Sequence, residues 1–173
     1  GEGAVIAGPD GAPRGFNDYD LALLVREPID EAPVRQAAAE LARELEIDFV
    51  DVGVLTPRNL AVAPNTIFWY ELRAGHRVLA GDPHAFERLP ARDPARLPLE
   101  EGTRLLTNRG LSLLWARLDL DEAESAGEDL SPDRRRFVVN SIQKAVLAVG
   151  DAALIATGRY DISYRERARR VAA

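Results

Sequence analysis

The stretch that decides the fold is Asn-Asp-Tyr-Asp-Leu-Ala-Leu-Leu-Val at residues 17–25, where two acids one residue apart lead into an apolar run. In an extended strand, residues i and i+2 point to the same side, so Asp18 and Asp20 project together while Leu21 and Leu23 point the opposite way. Neighbouring carboxylates repel each other, and a divalent cation with oxygen ligands relieves that repulsion. The pair predicts a metal site at the start of a strand; the alternative is a polar strand entrance after a turn.

A second acidic strand, Ile-Asp-Phe-Val-Asp-Val at residues 47–52, strengthens the first interpretation. Between the two strands, residues 29–46 carry apolar side chains at helical spacing and predict a helix. A strand, a helix and a strand with short joins usually form neighbouring strands of an α/β layer. We therefore expect strands over 19–26 and 47–55 to lie side by side.

Length and composition indicate an ordinary globular protein of one medium domain or two small ones. The chain has 173 residues, of which 46% are apolar and 29% charged. It contains no cysteine, which excludes disulfides and thiolate metal sites. No apolar run approaches the roughly 20 residues of a membrane span, and no signal segment is seen, so we expect a cytoplasmic protein without a membrane partner.

The charge is unevenly distributed along the chain. Residues 1–98 carry 10 Arg and 16 Asp or Glu, whereas residues 99–173 carry 12 Arg or Lys and 12 Asp or Glu. The net charge of −6 therefore lies in the first part. This argues against a broad nucleic-acid surface, which needs a basic stripe, although metal ions would let an anionic nucleotide bind an acidic region.

Proline and glycine positions divide the remainder of the first part. Thr56-Pro57 is a helix-start signal, residues 67–74 predict a helix, and residues 76–80 have strand character. Four prolines between 83 and 98 prevent one regular helix there and mark a domain boundary. We expect an α/β (α+β) domain with a small mixed sheet over residues 1–90 and a helical domain over residues 91–173.

The second part is predicted to be helical. Apolar spacing indicates a helix over 99–120, followed by an acidic connector over 119–129. Ser131-Pro132 begins a long helix that runs to about residue 157, and Ser163 caps a last helix. The arginines of this last helix are interpreted as a solvated face; they are Arg165, Arg167, Arg169 and Arg170.

These motifs together resemble the polymerase-β-like nucleotidyltransferase superfamily, over roughly residues 1–82. Asp18 and Asp20 match the Asp-x-Asp pair of that family, and residues 21–25 match its apolar continuation. The resemblance implies a third acid on a later strand, here Asp48. Asp51 is the alternative, since it also has apolar neighbours but lies an odd step away and faces the other side of a regular strand.

Family members also carry a Gly-Ser pair upstream of Asp-x-Asp, where backbone amides hold the nucleotide phosphates. No Gly-Ser precedes Asp18, and Gly1-Glu2-Gly3 looks like the tail of that motif. We therefore expect that this sequence begins inside a longer one. Gly1 and Gly3 are the predicted phosphate-contacting residues that remain.

The resemblance implies an enzyme that transfers a nucleoside monophosphate from a nucleoside triphosphate (NTP) to a hydroxyl of a small molecule or a protein side chain. Asp18, Asp20 and Asp48 would hold two Mg²⁺ or Mn²⁺ ions, which suit oxygen-only ligands. Lys144, the only lysine, and Asp151 are seven residues apart on one predicted helix face, from which they would reach the triphosphate and the acceptor.

A different class of function remains open. Without the phosphate-binding motif, the same fold would serve as a non-catalytic interaction module, an antitoxin-like partner of another protein. A third alternative is an unrelated α/β domain in which the acids are incidental.

Overall fold

The computed structural model describes residues 5–7, 11, 13–15 and 18–173. The chain divides into two units, an N-terminal unit of residues 1–64 and 72–91 and a helical unit of residues 65–71 and 92–173. One division falls after Ala91, in the proline-rich stretch. Residues 65–71 group with the helical unit although they precede this stretch. The mixed α and β character predicted from the sequence is confirmed.

The N-terminal unit is built around a pair of parallel strands. β1 (Val5–Ala7) and β2 (Pro13–Gly15) form an antiparallel pair, and β3 (Asp18–Leu24) is followed by α1 (Ala32–Glu44) and β4 (Phe49–Leu55). β4 pairs with β3 in parallel, so the predicted neighbourhood of the two acidic strands is confirmed. The described strands form two separate two-stranded sheets rather than the single mixed sheet that we expected.

The way α1 ends determines where β4 begins. Glu46 adopts the left-handed conformation at φ +53°, the Ile47 N–H donates to the Ala42 carbonyl at 3.1 Å, and the Glu46 N–H donates to the Arg43 carbonyl at 3.4 Å. These two bonds are those of a Schellman motif, in which the residue after the left-handed one packs back against the helix. Ile47 is thereby used in the helix stop, Asp48 lies in the following bend, and the strand starts at Phe49 instead of Ile47.

α1 covers one face of the parallel pair. The apolar side chains of this face and of the helix form one core cluster, whose members are Tyr19, Leu21, Ala38, Leu41, Ala42, Ile47, Val50 and Val52. Because side chains alternate along a strand, the even-numbered residues of β3 and the odd-numbered residues of β4 point away from α1.

Two helices follow β4. Thr56 caps α2 (Pro57–Ala61) through a reciprocal capping box with Asn59, which confirms the Thr-Pro start signal. α3 (Ile67–Gly75) begins where the buried Glu101 carboxylate accepts a hydrogen bond from the Ile67 N–H at 3.0 Å. Residues 76–80 form no strand, contrary to the prediction, since an extended segment needs a ladder partner to become one. The prolines beyond them accompany short 3₁₀ turns at Ala85–Arg88 and Pro94–Arg96.

Three helices make up most of the helical unit: α4 (Leu99–Ala126), α5 (Pro132–Ala156) and α6 (Tyr164–Val171). α4 continues through the stretch predicted as an acidic connector, because Asp119 and Glu122 pair with Arg134 of α5 at 2.7 Å each. It stops at Gly127, whose φ of +65° favours glycine. The Ser131 cap of α5 and the Ser163 cap of α6 are confirmed.

α5 is the one helix in the described part of the chain that is long and apolar enough to cross a membrane by length and composition. In the structure it packs along α4 and supplies Leu154 and Ile155 to a core cluster with Tyr70, Leu97 and Tyr160. Only 28% of its most apolar window is buried inside the structure.

Candidate functional site

Asp18 and Asp20 lie together on the face of the parallel pair that α1 leaves uncovered. Both belong to β3, and the residues between and after them, Tyr19 and Leu21, point into the core against α1. Asp20 is exposed and Asp18 is half-buried. The predicted pairing of the two acids on one side of a strand is therefore what the strand geometry produces.

The third acid on this face is Asp51. In the parallel ladder, Asp20 is the Cα partner of Asp51, and Asp18 is the partner of Phe49. Partners on neighbouring strands point to the same side of a sheet, so Asp51 shares the face of Asp18 and Asp20. Asp48 lies in the bend before β4, an odd number of residues from Asp51, so it does not belong to the alternating positions of this face. The register thus favours Asp51, the alternative, over Asp48, which the resemblance placed first.

The donor set fits a hard divalent cation in its chemistry, since carboxylate oxygens on adjacent strands are the ligands that Mg²⁺ and Mn²⁺ prefer. In the described ranges, no three His, Cys, Asp or Glu side chains are gathered closely enough to hold a metal ion. The strands fix which side the three carboxylates face, and side-chain rotamers set the remaining distances. The fit therefore rests on the type of the donors and on their shared face.

The predicted nucleotide-contacting residues have different surroundings. Gly1 and Gly3 lie outside the described residues. Lys144 is exposed on α5, as a cation that contacts a ligand would be. Asp151, two turns further along α5, is mostly buried and pairs with Arg167 at 3.2 Å.

Asp151 belongs to a buried polar cluster that the sequence analysis missed. At its centre, Arg167 of α6 is only 4% exposed and donates from Nη1 to the Tyr160 hydroxyl. Tyr160, itself 2% exposed, donates its hydroxyl hydrogen to Glu71 Oε1 at 2.6 Å. The guanidinium carbon of Arg167 also lies 4.1 Å from the ring centroid of Tyr164. One cation is thus surrounded by two carboxylates and two aromatic rings.

Burial governs the protonation of this cluster. Burial raises the pKa of Asp151, a shift that Arg167 opposes and Glu71 reinforces. Burial and the adjacent Glu71 raise the pKa of Tyr160 far above its usual range, so its hydroxyl stays protonated and acts as a donor. Burial disfavours the charge on Arg167, but Tyr160, Asp151 and Glu71 outweigh it and raise the pKa of the guanidinium.

The interpretation of the α6 arginines as one solvated face is wrong for Arg167. Arg165 and Arg169 are exposed, whereas Arg167 is buried beneath Tyr160 and Tyr164. The sequence spacing could have indicated this burial. Arg167 follows Tyr164 by three residues and precedes Val171 by four, so it lies on the apolar stripe of the helix. An arginine on an apolar stripe needs an acid partner in the core.

No family model, curated protein or solved structure matches this chain. Its function is therefore inferred from the resemblance of its motifs and from the geometry of the acids on β3 and β4.

Proposed function

We propose that this chain is a Mg²⁺- or Mn²⁺-dependent nucleotidyltransferase that moves a nucleoside monophosphate from an NTP to a hydroxyl acceptor. The observation that supports it is the parallel register of β3 and β4, which places Asp18, Asp20 and Asp51 on the face opposite α1. Such a set of like charges is costly for a fold and useful for holding cations. The arrangement of a nucleotidyltransferase domain followed by a helical domain is part of the proposal.

Each acid has a role that follows from its position. Divalent cations held here would supply positive charge to the triphosphate and lower the pKa of the acceptor hydroxyl. Asp18 and Asp20 would bind them from the strand entrance, with Asp51 beside Asp20 on the acceptor side. As the acceptor oxygen bonds to the α-phosphorus, pyrophosphate leaves and a carboxylate oxygen of Asp51 accepts the hydroxyl proton.

Calorimetry with Mg²⁺ and a non-hydrolysable NTP tests the site directly. We expect nucleotide binding that requires the metal and that Asp20→Asn or Asp51→Asn abolishes. Asp48→Asn is the matched control, because it changes an exposed aspartate three residues from Asp51 but off the acidic face. Thermal melts verify that each variant is folded.

Three outcomes would revise the proposal. Binding that is lost in Asp48→Asn and retained in Asp51→Asn would show that the third acid is the one indicated by the resemblance. Mg²⁺-dependent binding that none of the three variants alters would contradict the site. If the folded chain binds no NTP with Mg²⁺ or Mn²⁺, the non-catalytic interaction module becomes the better account.

A further inference from the structure

α4 and α5 form an antiparallel pair whose contact surface consists mainly of small and polar residues. Arg134 in the first turn of α5 pairs with Asp119 near the end of α4, and Gly102 near the start of α4 lies against Ala152 near the end of α5. The residues on the contact surface that are buried or half-buried recur every three or four positions. They are Gly102, Leu105, Arg109, Ser112, Ala116, Asp119 and Ala123 on α4, and Arg134, Val138, Ser141, Ala145, Ala148, Ala152 and Ile155 on α5.

Large apolar side chains occur one position after this contact surface on both helices. In an antiparallel pair, the flank that follows the contact surface lies on the same side of both helices. The side chains on that side form what we call the α4–α5 apolar face: Leu99, Leu106, Leu113, Leu120, Val139, Ile142, Val146 and Val149. They are between 37% and 69% exposed.

The size of this face is that of a protein interface. From the exposed fractions, the eight side chains present on the order of 700 Å² to solvent, whereas the largest apolar patch of a typical monomer is about 300–600 Å². A standard interface takes about 800 Å² from each partner. The exposed area of this face is therefore comparable with one side of a standard interface.

The spacing on this face is that of a helix seam. On α4 the apolar residues recur every seven positions, and on α5 they alternate between three and four positions. The spacing on α5 keeps an apolar stripe facing another helix along its length, and α4 adds one leucine to it every two turns. Thr103, Gly110 and Arg117 lie between the leucines of α4 on this flank, whereas the four residues of α5 on it are all apolar. On the opposite flank, Asn108, Asn140 and Lys144 interrupt the apolar residues of both helices.

We propose that two copies of this chain associate through the α4–α5 apolar face and form a four-helix bundle. In the arrangement in which every helix has antiparallel neighbours, α4 of one copy lies on α5 of the other. The end of α4 then meets the start of the other copy's α5, where Glu124 of one copy lies about 8 Å along the axis from the level of Arg135 of the other, within reach of a long arginine side chain. Both side chains are exposed at the same end of the helix pair, and their opposite charges make the surface complementary to itself.

Light scattering after size exclusion on the full chain tests the association. We expect a mass twice the 18.9 kDa of the chain, which Val146→Glu returns to 18.9 kDa because it places a charge at the centre of the face. Leu114→Glu is the matched control, since Leu114 is 63% exposed on the side of α4 away from this face; it should leave the dimer intact. Circular dichroism verifies the helix content of both variants. Should Val146→Glu fail to fold, Ile142→Lys takes its place.

A charge-reversal experiment distinguishes contact between copies from contact within one chain. Each of the two single substitutions, Arg135→Glu and Glu124→Arg, brings like charges together at two places in the dimer. We expect each to raise the dissociation constant of the dimer about tenfold. An equimolar mixture of the two variants restores both attractive pairs across the interface. Recovery of tight association in the mixture supports the proposal, and its absence while each variant alone is weakened overturns the arrangement.

Other occupants of the face are outcomes that overturn the proposal. A wild-type chain that stays at 18.9 kDa across micromolar concentrations contradicts the dimer. A monomer that floats with phosphatidylcholine–phosphatidylglycerol vesicles, and loses this binding in Val146→Glu, would assign the face to lipid. A dimer that Leu114→Glu dissociates and Val146→Glu does not would assign the interface to the side of α4 that faces away from α5.

Discussion

Acidic residues have opposite surroundings in the two units of this protein. In the N-terminal unit, Asp18, Asp20 and Asp51 share the face of two paired strands that lies opposite α1. In the helical unit, Asp151 and Glu71 surround a buried arginine that ties them to Tyr160. The first arrangement gathers charges of one sign, and the second balances charges of both signs.

This difference in charge distinguishes the proposed cation-binding site on β3 and β4 from the structural cluster around Arg167. Like charges held on one face reduce stability, and the proposed function gives this set a role in binding cations. A buried arginine with two acid partners, in contrast, holds the end of α5, α6 and residues 65–71 of the helical unit together. Four predictions test this contrast, beginning with the largest expected effect.

Removing the buried cation should be strongly destabilising. Arg167→Met leaves Asp151 and Glu71 without their partner, and we expect a loss of about 3–5 kcal/mol in the free energy of unfolding. Both tryptophans, Trp69 and Trp115, belong to the helical unit, so urea unfolding followed by tryptophan fluorescence reports on it.

The control for this prediction is Arg169→Met, which removes an exposed arginine two positions away and should change the free energy of unfolding by no more than about 0.5 kcal/mol. Equal effects of the two substitutions would show that the buried cluster is not a distinct structural element.

A substitution at Glu46, where α1 ends, should increase the stability of the N-terminal unit. Glu46 occupies a left-handed position that glycine adopts without steric cost, so Glu46→Gly should stabilise the N-terminal unit by about 1 kcal/mol. Hydrogen exchange of the β4 amides measures this gain. Glu40→Gly, at an exposed position inside α1, is the control and should lower protection. A loss of protection in Glu46→Gly would contradict the Schellman assignment.

Neutralising an acid on the sheet face should have the opposite sign from breaking the buried cluster. Asp51→Asn removes one of two like charges on directly opposed residues, and we expect a gain of about 0.2–1 kcal/mol at low ionic strength. The gain should shrink as salt is added. A clear loss of stability, measured by hydrogen exchange of β3 and β4, would mean that Asp51 has a structural role.

The smallest expected effects are the contributions of Asp151 and Glu166 to stability, which should depend on pH in opposite directions. The pKa of Asp151 is raised by burial above 3.8, so the folded state binds its proton more tightly and stability falls as pH rises through the folded pKa. Hydrogen bonds from Arg169 and then Arg170 lower the pKa of Glu166 from 4.5 to about 2. The ionised Glu166 therefore stabilises the folded state above pH 4.5, and this stabilisation is lost as the pH falls towards 2.

Unfolding experiments at a series of acidic pH values separate the two carboxylates. Asp151→Asn should remove a contribution to the free energy of unfolding that decreases with rising pH. Glu166→Gln should remove a contribution that increases with rising pH. Components of the same sign in the two variants would contradict the assigned surroundings.

Much of the local structure followed from the sequence alone. Thr56-Pro57, Ser131-Pro132 and Ser163 mark helix starts that the structure confirms, since capping depends only on residues within one turn. The parallel pairing of the two acidic strands was also predictable, because a strand-helix-strand unit with short joins allows few arrangements.

Errors arose where a distant partner decides the outcome. α4 extends through the acidic segment because Asp119 and Glu122 find Arg134 across the helix pair. Residues 76–80 have strand character but form no strand. The choice between Asp48 and Asp51 depended on the register, and the helix stop at Glu46 shifts the start of β4 by two residues.

The sequence by itself determined the helix caps, the acidic pair of β3 and the strand-helix-strand unit, because these depend on residues close together in the chain. Only the tertiary structure decided that Asp51 faces the same way as Asp20, that Arg167 is buried between acids, and that the small residues of α4 and α5 meet while their larger ones face outward. Burial and strand register arise from contacts between residues far apart in the chain, and residue types at one position do not specify the neighbour that the fold supplies.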